Sequence, residues 1–458
     1  MRYTKKIAEN IVNTRYEDLP HEVIEKTKRH ILDILGVMLP SSRFEKSCKA
    51  LEEIAKEGGG KEESTLIGFG GKVPCWMAAF VNGSLCHPMD FDDTVDEFPN
   101  HPSSNIFPAA LAVSERNGNV SGREFITAVA LAMDLSVRLA AAPKGKVGQD
   151  FPWFSVTVFG GFSAAAVTGK ILGLNLDQMV NAFGISLDRS FGITESMNAP
   201  ESEFRAIRDG FGNREGLLAA LMAEKGIAAS RSAFEILYKV YYDDEYDPLL
   251  LTSNLGKDFW GLKVGLKAWP CCRVSHTYIK AAMDMITEHE IKPEKIREII
   301  LTVGKFGRDF LCEPREIKLR PKVSIQAKLS LPFIMGLVFV KKRVLIEDFF
   351  PESLENRDVL EVAEKTRYVF DEELAPDSIG TGIVEIRMRD GSSFIKKEDI
   401  PYGNPKNPMS DEELRTKFND CAQYSLKPMD NKAIDNIRKK ILDMENIENI
   451  TEISEMLS

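Results

Sequence analysis

The sequence has no block of five or six consecutive basic residues, and its 59 Lys+Arg are outnumbered by 69 Asp+Glu, for a formal net charge of −10. That balance speaks against a nucleic-acid partner. Nor is there an apolar run of the roughly 20 residues needed to span a bilayer. The best candidate, Leu329 to Val340, is too short. The N-terminus runs Met1-Arg2-Tyr3-Thr4-Lys5-Lys6, then Glu9 and Asn10, with no apolar signal-peptide core. A cytoplasmic location and no membrane partner are therefore expected. Cysteine is scarce, seven in 458 residues, at 48, 75, 86, 271, 272, 312 and 421. An odd number with one close pair does not fit a secreted disulfide framework. Adjacent Cys271 and Cys272 have the wrong spacing for zinc, even with His276 nearby, so buried thiols and no metal are expected. A phosphate loop is missing too. The cluster Gly68-Phe69-Gly70-Gly71-Lys72 continues into Val73-Pro74 rather than Ser or Thr. A solvent-facing turn is the expectation there.

What is present is an ordinary globular balance, 43% apolar and 28% charged, with length enough for two or three folding units. Residues 20 to 38 carry Val23, Ile24, Thr27, Ile31, Ile34, Leu35 and Met38 at helical spacing, and Pro40 is expected to end that helix. Helical patterns follow at 44–56, 74–86, 104–117, 122–141, 158–171, 176–187 and 210–225. Several are rich in Ala and Gly, which permits close helix packing. After about residue 265 the pattern changes. Ile299 to Val303 has strand composition, and 383–395 alternates around an Asp390-Gly391 turn. Helices are expected at 273–288, 325–339 and 356–368. Beyond Pro408, Ser410 and Glu413 have capping-box spacing for a helical tail. These patterns describe a mainly α-helical protein with a large all-helical domain and a smaller α+β domain.

Five segments carry a resemblance. They are His87-Pro88-Met89-Asp90-Phe91-Asp92-Asp93-Thr94; Asn100-His101-Pro102-Ser103-Ser104-Asn105; Phe159-Gly160-Gly161-Phe162 with Ala164 to Ala166; Lys267-Ala268-Trp269-Pro270-Cys271-Cys272-Arg273-Val274-Ser275-His276; and Gly403-Asn404-Pro405 with Glu412-Glu413-Leu414 and Lys417-Phe418. In this order they resemble the MmgE/PrpD family, whose members include 2-methylcitrate dehydratase, cis-aconitate decarboxylase and iminodisuccinate epimerase. The resemblance implies an all-helical domain of residues 1–265 and 400–458, and an α+β lid of 266–399. It further implies an active site in the cleft between them, a homodimer and no organic cofactor. It does not fix the reaction, because one scaffold hosts several chemistries.

Asp90, Asp92 and Asp93 cluster beside Thr94 and upstream of His101. Carboxylates in a cluster can have raised pKa values, and histidine exchanges protons near neutrality. The plain alternative is an Asp-capped turn with a supporting histidine. Asp90 and Thr94 would share a face if the segment were helical. By resemblance, Asp90, Thr94, His101 and Lys267 match catalytic pocket positions. Arg205 stands where related branches have a lysine, which favours clamping a carboxylate over proton transfer. Arg208 is either a second clamp or a surface residue. Arg273 and His276 either bind an acidic substrate or satisfy a hinge. Phe154 replaces a histidine of the dehydratase and decarboxylase branches, Cys272 a histidine and Phe333 a tyrosine of the decarboxylase branch, and Phe154 and Cys272 are expected to line the substrate site. A phenylalanine transfers no proton but can line an apolar pocket, so decarboxylation by that branch's constellation is disfavoured and a plain methylcitrate dehydratase is weakened too. The expected function is proton abstraction next to a carboxylate of a small di- or tricarboxylic acid, by a dehydratase or an isomerase/epimerase. The alternatives are a silent carboxylate-binding homologue and a decarboxylase with a changed pocket.

Overall fold

The computed structural model describes residues 2–143, 152–195, 202–374 and 380–457. It is mainly α-helical with a smaller mixed α/β region. The chain divides into two compact units. The first comprises Met1–Pro88, Asp92–Val264 and Ser410–Ser458; the second comprises Met89–Phe91 and Gly265–Met409. No described helix is long and apolar enough to cross a membrane.

In the first unit, the helix His21–Phe44 is buried from Ile31 to Ser42 on nearly every side, and Pro40 lies inside it rather than ending it. An interior proline costs about 3 kcal/mol through its missing N–H and its clash with the preceding turn. Packing around this central helix outweighs that cost. Its neighbour Asp411–Gln423 starts with the capping box foreseen, Ser410 accepting from Glu413 N. Elsewhere in this unit the helix Phe204–Glu224 packs along small residues against both Cys75–Ser84 and Ser155–Ile171. A Cβ added to Gly216 would lie 2.2 Å from Gly161 O and 2.6 Å from Ala164 Cβ. Backbone cannot yield as a flexible side chain does. Gly216→Ala is therefore expected to destabilise the protein by roughly 1–3 kcal/mol, despite alanine's better helix propensity. Equal or greater resistance to urea would contradict this packing. The cluster at 68–72 is indeed a turn, joining the hairpin strands β1 (Ser64–Thr65) and β2 (Lys72–Val73). Only its end faces solvent as expected: Gly71 and Lys72 are exposed, whereas Leu66 to Gly70 are buried and Gly68 N donates to Leu457 O.

The second unit is built on a four-stranded sheet, β3 (Ile296–Val303), β4 (Thr366–Phe370), β5 (Gly382–Met388) and β6 (Ser393–Glu398), in the order β4-β3-β5-β6. β3 and β4 are parallel, and the other pairs are antiparallel. Val384, Ile386 and Met388 point into the core with Ile299, Leu301, Tyr278 and Leu337, as the alternation required. Two expectations need correction. The helix expected over 356–368 ends at Glu364, where the β-branched and aromatic run Thr366-Arg367-Tyr368-Val369-Phe370 becomes β4. The helix expected over 325–339 is two, Ser324–Lys328 and Leu331–Lys341, because Ser330 caps the second and Pro332 occupies its first turn.

Candidate functional site

The segment 87–105 is irregular, and its order comes from side chains. It follows the helix Cys75–Ser84 and is closed by a bridge between Val95 and Asn100 before the short turn Ser103–Asn105. The Asp93 carboxylate accepts from Ser103 N at 3.1 Å and from Ser103 Oγ at 2.5 Å. Its Oδ2 also lies 2.8 Å from Nδ1 of His30, a residue of the central helix. Burial alone would raise the pKa of Asp93, but His30 and Ser103 overcome that effect and hold it below the usual carboxylate value. A depressed folded-state pKa contributes stability that is present above the unfolded value near 4 and is lost as pH falls through the folded value. Asp93→Asn should therefore cost roughly 3 kcal/mol at neutral pH. Urea melts should show the gap to wild type narrowing below about pH 4. A gap independent of pH would contradict it.

That staple positions His101. Asn100 Oδ1 accepts from His101 N at 2.9 Å, while Asn100 Nδ2 donates to Ser136 Oγ at 2.9 Å. The ring is fixed as well, with Nδ1 lying 2.8 Å from the Asp93 carbonyl and 3.3 Å from Asp92 Oδ2. A carbonyl only accepts, so Nδ1 carries the proton and Nε2 is left as the basic nitrogen. The His101 side chain is 17% exposed, against 0% for Asp92. His101 is thus the more accessible of the two. His87 completes the group, its Nδ1 lying 3.0 Å from Asp92 Oδ1.

His87, Asp92 and His101 offer donor atoms within 4.8 Å of one another, the kind of grouping that can hold a metal ion. The proton that His101 Nδ1 donates to the Asp93 carbonyl occupies that nitrogen's lone pair, so an ion would meet this ring at Nε2.

Asp90, two residues before Asp92, groups with the second unit. It is not helical, so the shared face with Thr94 does not form. Its φ of 50° lies in the left-handed region, uncommon outside glycine and tolerated best by Asp and Asn. Lys267 Nζ donates to both ends of this residue, to Oδ1 at 2.5 Å and to the carbonyl at 3.2 Å. Both side chains are buried, Lys267 to 1% exposure and Asp90 to 10%. Thr94 is buried in the bridge segment of the first unit.

Other expected residues separate by role. Arg273 donates through Nη1 to Tyr402 O at 2.8 Å and to Leu266 O at 3.4 Å, and Leu266 N donates to Gly403 O. That pattern ties residues 265–267 to 402–403, the hinge-like alternative for Arg273. His276 is fully buried, its Nδ1 3.4 Å from Arg273 Nη1 and its ring edge-on to Trp269. Cys271 and Cys272 are buried free thiols, and burial pushes Cys271 well above the usual thiol value, away from nucleophilic use. Phe154 ends the segment before the helix Ser155–Ile171, with the guanidinium groups of Arg205 and Arg208 at 5.5 and 5.0 Å from its ring centre. Arg208 is not a surface residue: it is 1% exposed and donates through Nη1 to Arg205 O. Phe333 is a core residue near Phe349.

Sequence reasoning gave no role to His30 or His87. His30 stands one residue before Ile31 of the helical stripe, among positions that turn out buried, and that was its one visible signal. Nothing local tied His87 to a carboxylate five residues on.

Comparison with known proteins agrees in extent and order with the matched segments. Residues 5–243 match the MmgE/PrpD N-terminal domain, and residues 269–443 match the MmgE/PrpD C-terminal domain. A cis-aconitate decarboxylase of Aspergillus terreus is 26% identical, over 99% of this chain and 96% of its own length. The cis-aconitate decarboxylase of Mus musculus is 25% identical, over 98% and 93%. A cis-aconitate decarboxylase-like protein of Aspergillus oryzae is 24% identical, over 99% and 97%. With both domain matches in place across most of its length, the chain belongs to the MmgE/PrpD family.

Proposed function

We propose that this protein is an enzyme that exchanges a proton on the carbon next to a carboxylate of a small di- or tricarboxylic acid, without an organic cofactor. The observation that carries this reading is the fixed tautomer of His101, with Nδ1–H on the Asp93 carbonyl and Nε2 left to take the proton. The C–H proton passes to His101 Nε2, and the C–H electron pair moves into the carboxylate to form an enediolate. Lys267, a buried ammonium, is the cation assigned to that charge. In a dehydratase the β-hydroxyl then takes the proton from the His101 imidazolium and leaves as water, with Asp90 and Thr94 polarising it. In an epimerase Lys267 gives a proton to the opposite side of that carbon, and His101 and Lys267 then reset by exchange with solvent. Arg205 is assigned to a substrate carboxylate, in keeping with its bidentate fork.

The names of the relatives favour a second reading, decarboxylation, in which the carboxylate leaves as CO₂ and the resulting carbanion is protonated. Against it stand Phe154 and Phe333, neither of which can exchange a proton. The two readings part on products. A panel of small di- and tricarboxylic acids incubated with purified protein in deuterated water should, by mass spectrometry, lose water or take up deuterium. Loss of CO₂ would establish the second reading, and no change with any acid would leave a silent binding homologue.

A further inference from the structure

The chemistry assigned to His101 uses Nε2, yet the buried side of its ring faces a carboxylate that this chemistry does not employ. Asp92 has a side chain of 0% exposure, and it lies between two imidazoles. Its Oδ2 is 3.3 Å from His101 Nδ1, and its Oδ1 and Oδ2 are 3.0 and 3.2 Å from His87 Nδ1. The two rings meet edge to face, with centres 5.0 Å apart. An ionised carboxylate has acceptors only, so each Nδ1 that faces it contributes a proton. We propose that Asp92 is the positioning residue that stabilises His101 in its protonated form, and that His87 holds the Asp92 carboxylate in the plane this requires. The inference rests on the assignment of His101 as the proton-exchanging base.

Two anchors on one nitrogen divide the work. The Asp93 carbonyl, at 2.8 Å, sets which nitrogen carries the proton. A neutral carbonyl does little for a full positive charge, whereas a buried carboxylate stabilises an imidazolium strongly because water screens it little. Asp92 thus matters most at the moment His101 becomes a cation, after it has taken the substrate proton. The grip of His87 on both carboxylate oxygens keeps Asp92 from turning away when His101 is neutral. Asp92, His87 and Asp93 are titratable groups that pack around this ring within its unit, with His30 behind Asp93.

The test reads the ring directly. The chain has six histidines, so ¹⁵N-histidine labelling gives a small set of ring signals, with His101 identified from its loss in H101Q. In Asp92→Asn, His101 should keep its Nδ1–H signature, because the Asp93 carbonyl remains. It should titrate at least tenfold less basic, a drop of one pH unit or more. With an accepted acid, kcat should fall about 10- to 10²-fold, at the low end of general acid–base contributions, with KM little changed. His87→Gln should shift the titration in the same direction by less, and it serves if Asp92→Asn does not fold. A His101 titration that stays in place in a folded variant would overturn the proposal, whatever happens to the rate. Because the titration needs no substrate, it can fail or succeed separately from the activity. A protein that turns over no acid but shows the shift would keep this inference and lose the catalytic reading.

Discussion

Replacing His101 with Gln is expected to slow hydrogen exchange at the reacting carbon by at least about 10²-fold, the lower end of what a positioned base contributes. Glutamine is close in size and keeps a donor for the Asp93 carbonyl, while losing the nitrogen that takes the proton. The side chain is partly exposed, so its thermal stability should stay near that of wild type. Turnover followed by mass spectrometry, alongside a thermal melt, checks both halves. An unchanged rate would remove His101 from the chemistry.

The second large effect is expected at Lys267. Lys267→Met takes away the assigned cation, and the loss of one preorganised stabilising donor typically costs 10²–10³ in kcat. It also takes from the buried Asp90 carboxylate its 2.5 Å contact with Nζ, and breaking a buried pair costs roughly 3–5 kcal/mol. The two losses can be separated. In the double variant Lys267→Met with Asp90→Asn, no buried charge is left without its partner, and much of the stability should return. Activity should not return, because the cation is still missing. A stable double variant with near wild-type turnover would show that the pair serves the fold alone.

How much of this was legible beforehand depends on range. Short-range signals carried well: Ser410 and Glu413 form their capping box, and the alternation of Val384, Ile386 and Met388 sets the buried face of β5. Rules that weigh one residue failed where packing decided. Pro40 sits inside a helix because that helix is enclosed on nearly all sides, and Thr366 to Phe370 is a strand because β3 offers it a partner. In the candidate site the resemblance indicated residue types, but the pairings could not be read locally. Asp90 and Lys267 are 177 positions apart, and His30 and Asp93 meet only through the fold of the central helix. Asp92 was visible as one acid among three. Only the folded structure separates it from Asp93, which staples the loop, and from Asp90, which binds Lys267.

The central claim is that catalysis makes and breaks a bond to hydrogen on the carbon beside a carboxylate. Turnover of an accepted acid in deuterated water tests it most directly. The account predicts that the substrate's own hydrogen leaves that carbon, replaced by deuterium in an epimer and lost outright in an alkene, fast in wild type and slowed at least about 10²-fold in His101→Gln. Product formed at full rate that still carries the substrate's own hydrogen at that carbon would contradict it.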